Sequence, residues 1–224
     1  MKRLLSAVVP MLICACAYAT PVEHLFVPAG FDDNDTVEVL VSGSFPNECF
    51  DRNDVETKIH GDQIEVKITA IANKPVRPCD EPAVPFLETV TLGTLPSGTY
   101  QVLVNGSLKE ILEVKEASSL RVDDHIYAAV EYVELGFTGG LGGEVILIGS
   151  APDCLEFYRV ETISNGKDTV SVLPQMKRVK ETCSEATTRF QIPVTFEPEA
   201  FEHQQVLLFV RTMDGKSIYA VVEK

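Results

Sequence analysis

The chain repeats one sequence pattern: Gly-Phe, eleven further residues, Gly-Ser-x-Pro, and then a cysteine. The first copy runs from Gly30 to Cys49 and the second from Gly136 to Cys154. Residues 25–46 overlay residues 131–152 at a constant offset of 106 without a gap. A duplication of this length predicts two domains of similar fold within the 224 residues.

Both copies consist of short segments in which apolar and polar residues alternate, the period of a half-buried strand. Turn sequences such as His60-Gly61-Asp62 and Asn105-Gly106 separate neighbouring segments and predict hairpins. Pro174 and Pro193 interrupt two segments, which predicts edge strands or bulges there. The predicted strands are 24–27, 36–42, 55–59, 64–71, 86–92, 99–104 and 108–114, then 129–137, 144–148, 155–163, 169–175, 189–196, 206–212 and 217–222. Seven short strands per copy, without an amphipathic helix, predict a β-sandwich in each.

The segment Leu95-Pro96-Ser97-Gly98-Thr99-Tyr100 looks like the tyrosine corner of immunoglobulin-like domains. On this basis the chain resembles tandem immunoglobulin-like modules of secreted bacterial proteins. The resemblance implies an all-β fold of two tandem immunoglobulin-like antiparallel β-sandwiches. Two features depart from it: the chain has no tryptophan, and the second cysteine of each copy lies in a mid-domain loop. It implies an architecture and no ligand or active residue.

The N-terminus has the pattern of an export signal. Lys2-Arg3 precedes an apolar run over residues 4–13, and Ala17-Tyr18-Ala19 supplies small residues for cleavage after Ala19. An alternative is lipoprotein processing, because Ile13-Cys14-Ala15-Cys16 resembles a lipobox in which Cys16 is acylated. Either route predicts an exported protein, periplasmic or extracellular, and the second an outer-membrane lipoprotein. No other apolar segment reaches membrane-spanning length.

These signals divide the chain into a signal peptide, two sandwiches and a polar linker that contains Ser118-Ser119 and Asp123-Asp124. The predicted bounds are 1–19 for the signal, 22–115 for the first sandwich, 116–126 for the linker and 127–224 for the second sandwich.

Four cysteines remain after the signal, two per copy and 30 or 29 residues apart. In an exported protein this spacing predicts the disulfides Cys49–Cys79 and Cys154–Cys183. A zinc site built from all four is the alternative. It requires cysteines of both copies to converge without any C-x2-C pair.

The formal net charge of −14 comes from 33 acidic and 19 basic residues. Because nucleic acid binding depends on clustered lysine and arginine, this charge disfavours a nucleic acid partner. The acidic turn Asp32-Asp33-Asn34-Asp35 is the best metal candidate, since carboxylate and amide oxygens suit calcium. Asp32, Asp33 and Asp35 are the candidate ligands, with an ordinary polar turn as the alternative.

No set of catalytic residues is recognisable. The chain has neither a G-x-S-x-G motif nor an H-E-x-x-H motif, and Ser44 and Ser150 sit at matching repeat positions where a turn explains them. The glycine-rich run 136–143 is followed by a strand pattern without a nearby lysine, which disfavours phosphate binding. The histidines occur singly, at His24, His60, His125 and His203.

The sequence therefore predicts a non-enzymatic exported protein that binds a protein or glycan partner, or serves as a spacer. Sandwiches bind through loops and edge strands. The loops that differ most between the copies are 32–35, 74–85, 138–143 and 177–187, the last of which is locally basic. The alternative is a secreted hydrolase or accessory subunit with its site between the two sandwiches.

Overall fold

The computed structural model describes residues 17–72, 79, 82–119, 123–135, 143–196 and 205–223. We call residues 17–119 the first half and residues 123–223 the second half. The first half contains β1 (Ala17–Ala19), β2 (Val22–Phe26), β3 (Phe31–Asp32), β4 (Val37–Phe45), β5 (Phe50–His60), β6 (Gln63–Ala72), β7 (Val84–Gly93), β8 (Gly98–Val104) and β9 (Leu108–Lys115). The second half contains β10 (Ile126–Tyr127), β11 (Val130–Leu135), β12 (Gly143–Pro152), β13 (Leu155–Ser164), β14 (Thr169–Arg178), β15 (Thr187–Phe196), β16 (Gln205–Thr212) and β17 (Lys216–Glu223).

The predicted all-β fold is confirmed, and every predicted strand corresponds to an observed one. A single 3-10 turn at Met213–Gly215 is the only helical element in the described part of the chain. None of the helical structure in that part is long and apolar enough to cross a membrane.

Each half pairs a large sheet with a three-stranded sheet. In the first half β6 has β5 on one side and both β1 and β8 on the other, while β2, β4 and β7 form the small sheet. The second half repeats this with β14 between β13 and the pair β10 and β16, and with β11, β12 and β15. The β6–β8 and β14–β16 pairs are parallel. These two pairs differ from the predicted antiparallel arrangement. In each half the chain passes through a strand of the small sheet between the two paired strands, and such a crossover is what parallel neighbours need.

The repeat is visible in the strand register, with one correction. Gly43 and Gly149 occupy matching places in β4 and β12, at the offset of 106. Their partners are Val22 in β2 and Val130 in β11, which are 108 residues apart. The gapless overlay is therefore wrong by two residues at the first strand. An even shift keeps each side chain on its face of the sheet, so the core pattern is unaffected.

The second glycine of the repeat is required by a close backbone approach. A Cβ atom on Gly43 would lie 2.2 Å from the carbonyl oxygen of Pro21 and 2.7 Å from a phenylalanine ring. On Gly149 it would lie 2.1 Å from the carbonyl oxygen of Ala129 and 2.6 Å from the matching ring. Only glycine fits where the two chain segments pass so closely.

The predicted disulfides are confirmed, with one in each half: Cys49–Cys79 and Cys154–Cys183. Cys49 and Cys154 lie in the turns directly before β5 and β13, and each is bonded to a cysteine further along the same half. Bonded in this way, the four sulfur atoms do not form the alternative zinc site.

The tyrosine corner is also confirmed, because the Tyr100 hydroxyl donates a hydrogen bond of 2.7 Å to the carbonyl oxygen of Pro96. Pro193 lies on the edge strand β15, as predicted. Pro174 differs, since it lies in β14, which has neighbours on both sides. On the side of β14 away from β13, the neighbouring strand is β16 before Pro174 and β10 after it. Pro174 lies at this change, so its missing N–H interrupts no ladder of hydrogen bonds on that side.

Strand β16 joins the hydrophobic cores of the two halves. Leu207 and Phe209 belong to the core of the first half, whereas Val206, Leu208 and Val210 belong to that of the second. All five side chains are buried. A strand buried on both faces carries a continuous apolar run rather than an alternating one. The two sandwiches therefore pack directly against each other.

Candidate functional site at the junction of the halves

The most buried ion pair of the described residues crosses the junction. The guanidinium of Arg211 in β16 faces the carboxylate of Asp35 from the acidic turn, with side chains 7% and 1% exposed. Arg211 Nη1 donates to Asp35 Oδ2 over 2.5 Å, and Nη2 donates to Oδ1. Asp35 Oδ2 also accepts a hydrogen bond of 2.7 Å from the backbone N–H of Asp32. A two-pronged contact of this kind fixes both distance and orientation.

Aromatic rings and a second carboxylate complete the surroundings of Arg211. Its Cζ atom lies 5.0 Å from the ring centre of Tyr127 and 5.9 Å from that of Phe31. Nη2 is 3.3 Å from Asp123 Oδ2. Burial opposes the charge of Arg211, but the hydrogen bonds to Asp35 and the electrostatic attraction of the surrounding acidic groups together outweigh it and raise the pKa of the guanidinium above its ordinary value. The arginine is therefore a permanent buried cation.

Burial also governs the acidic and phenolic groups around this cation. It raises the pKa of Asp32 and of Asp123 above the ordinary aspartate value, and the charge of Asp35 adds to the effect at both. It raises the pKa of the Tyr127 hydroxyl as well, which keeps the phenol neutral. These shifts follow from removing charge from water, and the attraction of Arg211 offsets them only in part.

The predicted linker is fastened to the acidic turn. Asp124 accepts hydrogen bonds from the backbone N–H of Ser118 at 2.6 Å, from the Ser119 hydroxyl at 3.2 Å and from Asn34 Nδ2 at 2.9 Å. Asp33 accepts one of 3.0 Å from the backbone N–H of Ala117. The Ser118 hydroxyl donates to Asp124 as well. Burial alone would raise the pKa of Asp124, but the hydrogen bonds from Ser118, Asn34 and Ser119 together outweigh it and lower the pKa. The described residues of the linker thus hold the halves together.

A second polar contact crosses the junction between His24 in β2 and Asp168. His24 Nε2 donates to Asp168 Oδ2 over 2.6 Å. The other oxygen of Asp168 accepts from Asn165 Nδ2 at 2.8 Å and from the Thr169 hydroxyl at 2.9 Å. Asn165 also donates to the carbonyl oxygen of Val27. Burial acts to raise the pKa of Asp168, and the three hydrogen bonds outweigh it, so the pKa lies below its ordinary value.

A cavity of about 350 Å³ opens beside this contact. Its lining combines apolar side chains, among them Leu25 and Ile163, with Lys167 and Asp168. A Cβ atom on Gly30 would lie 2.7 Å from the Ile163 side chain, so this glycine of the repeat permits the close packing of the two halves. Asp168 already accepts three hydrogen bonds from within the protein. The two aspartates with a raised pKa, Asp32 and Asp123, do not line this cavity.

The three candidate calcium ligands share one turn but serve different partners. The carboxylate of Asp35 binds Arg211, and the carboxylate of Asp33 accepts a hydrogen bond from the linker backbone. Asp32 contacts Asp35 through its backbone N–H and not through its carboxylate. Within the described ranges, no three histidine, cysteine, aspartate or glutamate side chains are grouped to hold a metal ion. The cation that Asp35 binds in the structure is the guanidinium of Arg211.

Sequence reasoning did not identify Arg211, although a signal for it exists. The run from Val206 to Val210 is continuously apolar, and Arg211 follows it directly. A strand buried on both faces that ends in an arginine requires a carboxylate partner. Nothing local in the sequence says which of the 33 acidic residues that partner is.

Two of the three basic side chains in loop 177–187 are paired with carboxylates. Lys177 Nζ is 3.4 Å from Glu156 and Lys180 Nζ is 2.7 Å from Asp153, while Arg178 donates to the carbonyl oxygen of Glu181. The hydrogen bonds from Lys180 and from the Ser184 backbone lower the pKa of Asp153. The glycine-rich residues 136–142, most of loop 74–85 and His203 lie outside the described residues.

The two halves differ most clearly on the outer strand of the large sheet. Phe157 and Tyr158, 42% and 58% exposed, lie at the β-bulge of β13. The matching strand β5 has its bulge at the same register, with Arg52 and Asn53 in the two places. Among the described strands, β5 pairs only with β6 and β13 only with β14, so each has one unpaired edge. The aromatic pair is thus a feature of the second half alone.

Comparison with curated proteins and with solved structures finds no match to this chain. Residues 39–114, which run from β4 to β9, match the family model described as the ORF11 beta-sandwich domain. The match covers the greater part of the first sandwich and agrees with its observed architecture.

Proposed function

We propose that the protein is a non-catalytic, exported envelope or extracellular protein of two immunoglobulin-like sandwiches, which binds a partner as one rigid body. The observation that carries this proposal is strand β16, whose two faces contribute to both hydrophobic cores. The buried pair of Arg211 and Asp35 lies at its end. A junction packed in this way holds surfaces of both halves in a fixed relation, which suits a binding or spacer module.

The proposed binding surface is the outer edge of β13 with Phe157 and Tyr158. Exposed aromatic side chains beside unpaired backbone groups favour an extended protein strand, which would add to the edge through main-chain hydrogen bonds. The aromatic rings then supply anchors that the matching strand β5 lacks. A protein strand is therefore the partner we favour, and a glycan is the alternative to be tested beside it.

A hydrolase with its site between the halves is the less favoured reading. The junction cavity would have to supply its acid and base. Its lining carries the carboxylates of Glu110, Glu113 and Asp168. Glu110 is paired with Lys167, and Asp168 already accepts hydrogen bonds from His24, Asn165 and Thr169. A carboxylate held in this way is a poor general acid, because its lowered pKa keeps it ionised.

Capture of partners from envelope extracts tests the proposal. The bait is the exported chain, and the variant Phe157→Arg/Tyr158→Asn places the residues of β5 at the matching positions of β13. The variant leaves the core intact, so unchanged far-UV circular dichroism and melting temperature are expected. We expect a specific protein to be captured by the wild-type chain and lost with the variant.

Two results would contradict the proposal. Equal capture by both baits would remove β13 as the binding surface. Binding to isolated envelope polysaccharide, unaffected by protease treatment of the extract, would identify a glycan partner in place of a protein strand. A matched control is Arg52→Phe/Asn53→Tyr in β5, which should not create binding if the surroundings of β13 contribute.

A further inference from the structure

The outer edge of β13 carries a short sequence that is complementary to itself. Residues 156–159 read Glu-Phe-Tyr-Arg, and all four are exposed. When two such segments run antiparallel, Glu156 of one copy can stand opposite Arg159 of the other, and Phe157 then stands opposite Tyr158. Opposite charges and aromatic pairs at directly opposed positions both stabilise antiparallel strands. The segment can therefore pair with a second copy of itself without placing like charges opposite each other.

This register also keeps the side chains on matching faces of the sheet. Leu155 and Val160, which flank the segment, stand opposite each other, and both pack against the core of the second half. Glu156 and Arg159 share the other face, because the bulge at residues 157–159 adds one residue between them. Opposed residues of antiparallel strands must lie on the same face, and this register meets that condition at both pairs.

Both charged side chains of the segment can reach a partner. The side chain of Glu156 is 61% exposed and that of Arg159 is 53% exposed. Glu156 lies 3.4 Å from Lys177 Nζ, while Arg159 donates from Nε to Gln175 at 2.9 Å and from Nη2 to Glu161 at 3.3 Å. A guanidinium carries five N–H donors and a carboxylate offers about four acceptor sites, so these contacts leave capacity for a second copy.

The matching strand β5 has the opposite charge pattern. Asp51 and Asp54 stand at the places of Glu156 and Arg159, because their partners in β6 precede the corresponding partners in β14 by 106 residues. Two antiparallel copies of β5 in this register would place Asp51 opposite Asp54 twice, and like charges directly opposite each other are destabilising. Charged edge strands protect proteins against edge-to-edge pairing. The edge of the first half has this protection, and the edge of the second half does not.

We propose that the protein forms a symmetric dimer in which residues 155–160 of β13 pair antiparallel with the same residues of a second copy. This inference rests on the proposed function and deepens it, because the extended strand that adds to the β13 edge is then β13 of another molecule. A twofold axis relates the two copies, so every contact occurs twice. Six residues from each copy make a short interface, and small interfaces are weak and reversible. We therefore expect a dimer that forms as the protein concentration rises.

Sedimentation equilibrium of the purified chain over a concentration series tests the proposal. The wild-type mass should rise from that of one chain towards that of two. Glu156→Arg places arginine opposite arginine at both ends of the contact, and Arg159→Glu places glutamate opposite glutamate, so each variant alone should remain monomeric. An equimolar mixture of the two variants should dimerise again, because each arginine then faces a glutamate of the other copy.

Glu56→Arg in β5 is the matched control, because it makes the same charge change at an exposed residue outside β13 and should dimerise like the wild type. Far-UV circular dichroism verifies that every variant is folded. Two results would overturn the proposal: a wild-type chain that stays monomeric throughout the series, or a mixture of the two variants that does not associate.

The outcomes also separate the dimer from the proposed function. A monomeric wild-type chain that still captures a protein, and loses it with Phe157→Arg/Tyr158→Asn, overturns the dimer and leaves the proposed function standing. A wild-type dimer that persists in Phe157→Arg/Tyr158→Asn, Glu156→Arg and Arg159→Glu refutes the pairing through β13, because the copies then meet at another surface.

Discussion

The buried pair of Arg211 and Asp35 leads to a quantitative prediction about the junction. The side chains are 7% and 1% exposed, so removal of one partner leaves the other as a buried charge. For Arg211→Met we expect a loss of about 3–5 kcal/mol in the free energy of unfolding, because breaking a buried pair has this effect. The double variant Arg211→Met/Asp35→Asn should be more stable than Arg211→Met alone, since neither charge then remains.

Urea unfolding at neutral pH with intact disulfides measures these differences. The chain has no tryptophan, so far-UV circular dichroism is the suitable signal. In a protein of this size each kcal/mol shifts the melting temperature by about 2–4 °C, which gives roughly 6–20 °C for Arg211→Met. Arg189→Met is the matched control, because this arginine is 73% exposed and should contribute no more than about 0.5 kcal/mol.

Two results would refute the reasoning. A cost below about 1 kcal/mol for Arg211→Met would show that the pair does not stabilise the junction. A double variant whose loss equals the sum of the two single losses would show that the two side chains act independently.

Three further predictions concern the repeat, the histidine contact and calcium. Gly149→Ala should destabilise the protein by at least about 1–3 kcal/mol, whereas Gly98→Ala, where a Cβ meets nothing closer than 3.8 Å, should change the melting temperature little; equal effects would contradict the close approach. The pKa of Asp168 is lowered in the folded protein, so its contribution to stability is complete above the ordinary value of 3.8 and is lost as pH falls through the lower folded value. Asp168→Asn should therefore weaken the dependence of the urea midpoint on pH below 4. An unchanged dependence would contradict this role of Asp168. Calcium should give no rise in melting temperature, because Arg211 already binds Asp35; a rise at millimolar calcium would restore the acidic turn as a metal site.

Much of each sandwich was predictable because its signals are local. Period-two alternation marks the strands, and Asn105-Gly106 marks a hairpin whose residues do adopt positive φ angles of 48° and 69°. Tyr100 follows the turn sequence that positions its hydroxyl. These features depend on neighbours within a few residues, so the sequence shows them directly.

The linker and the acidic turn were harder to interpret for the opposite reason. In the sequence, Asp35 and Asp124 look like ordinary residues of a turn and a linker. Their roles depend on partners far along the chain. The same holds for β1, whose Ala17-Tyr18-Ala19 sequence fits a cleavage site as well as a short strand. The structure shows these three residues paired with β6.

The sequence by itself determined a duplicated all-β chain with one disulfide in each half, because repeat spacing, strand period and cysteine count are properties of the chain alone. The tertiary structure decided how the halves meet. Arg211 and Asp35 are separated by 176 residues, and their contact depends on how β16 packs between two cores. Such packing follows from the summed fit of many buried surfaces, which no local pattern encodes.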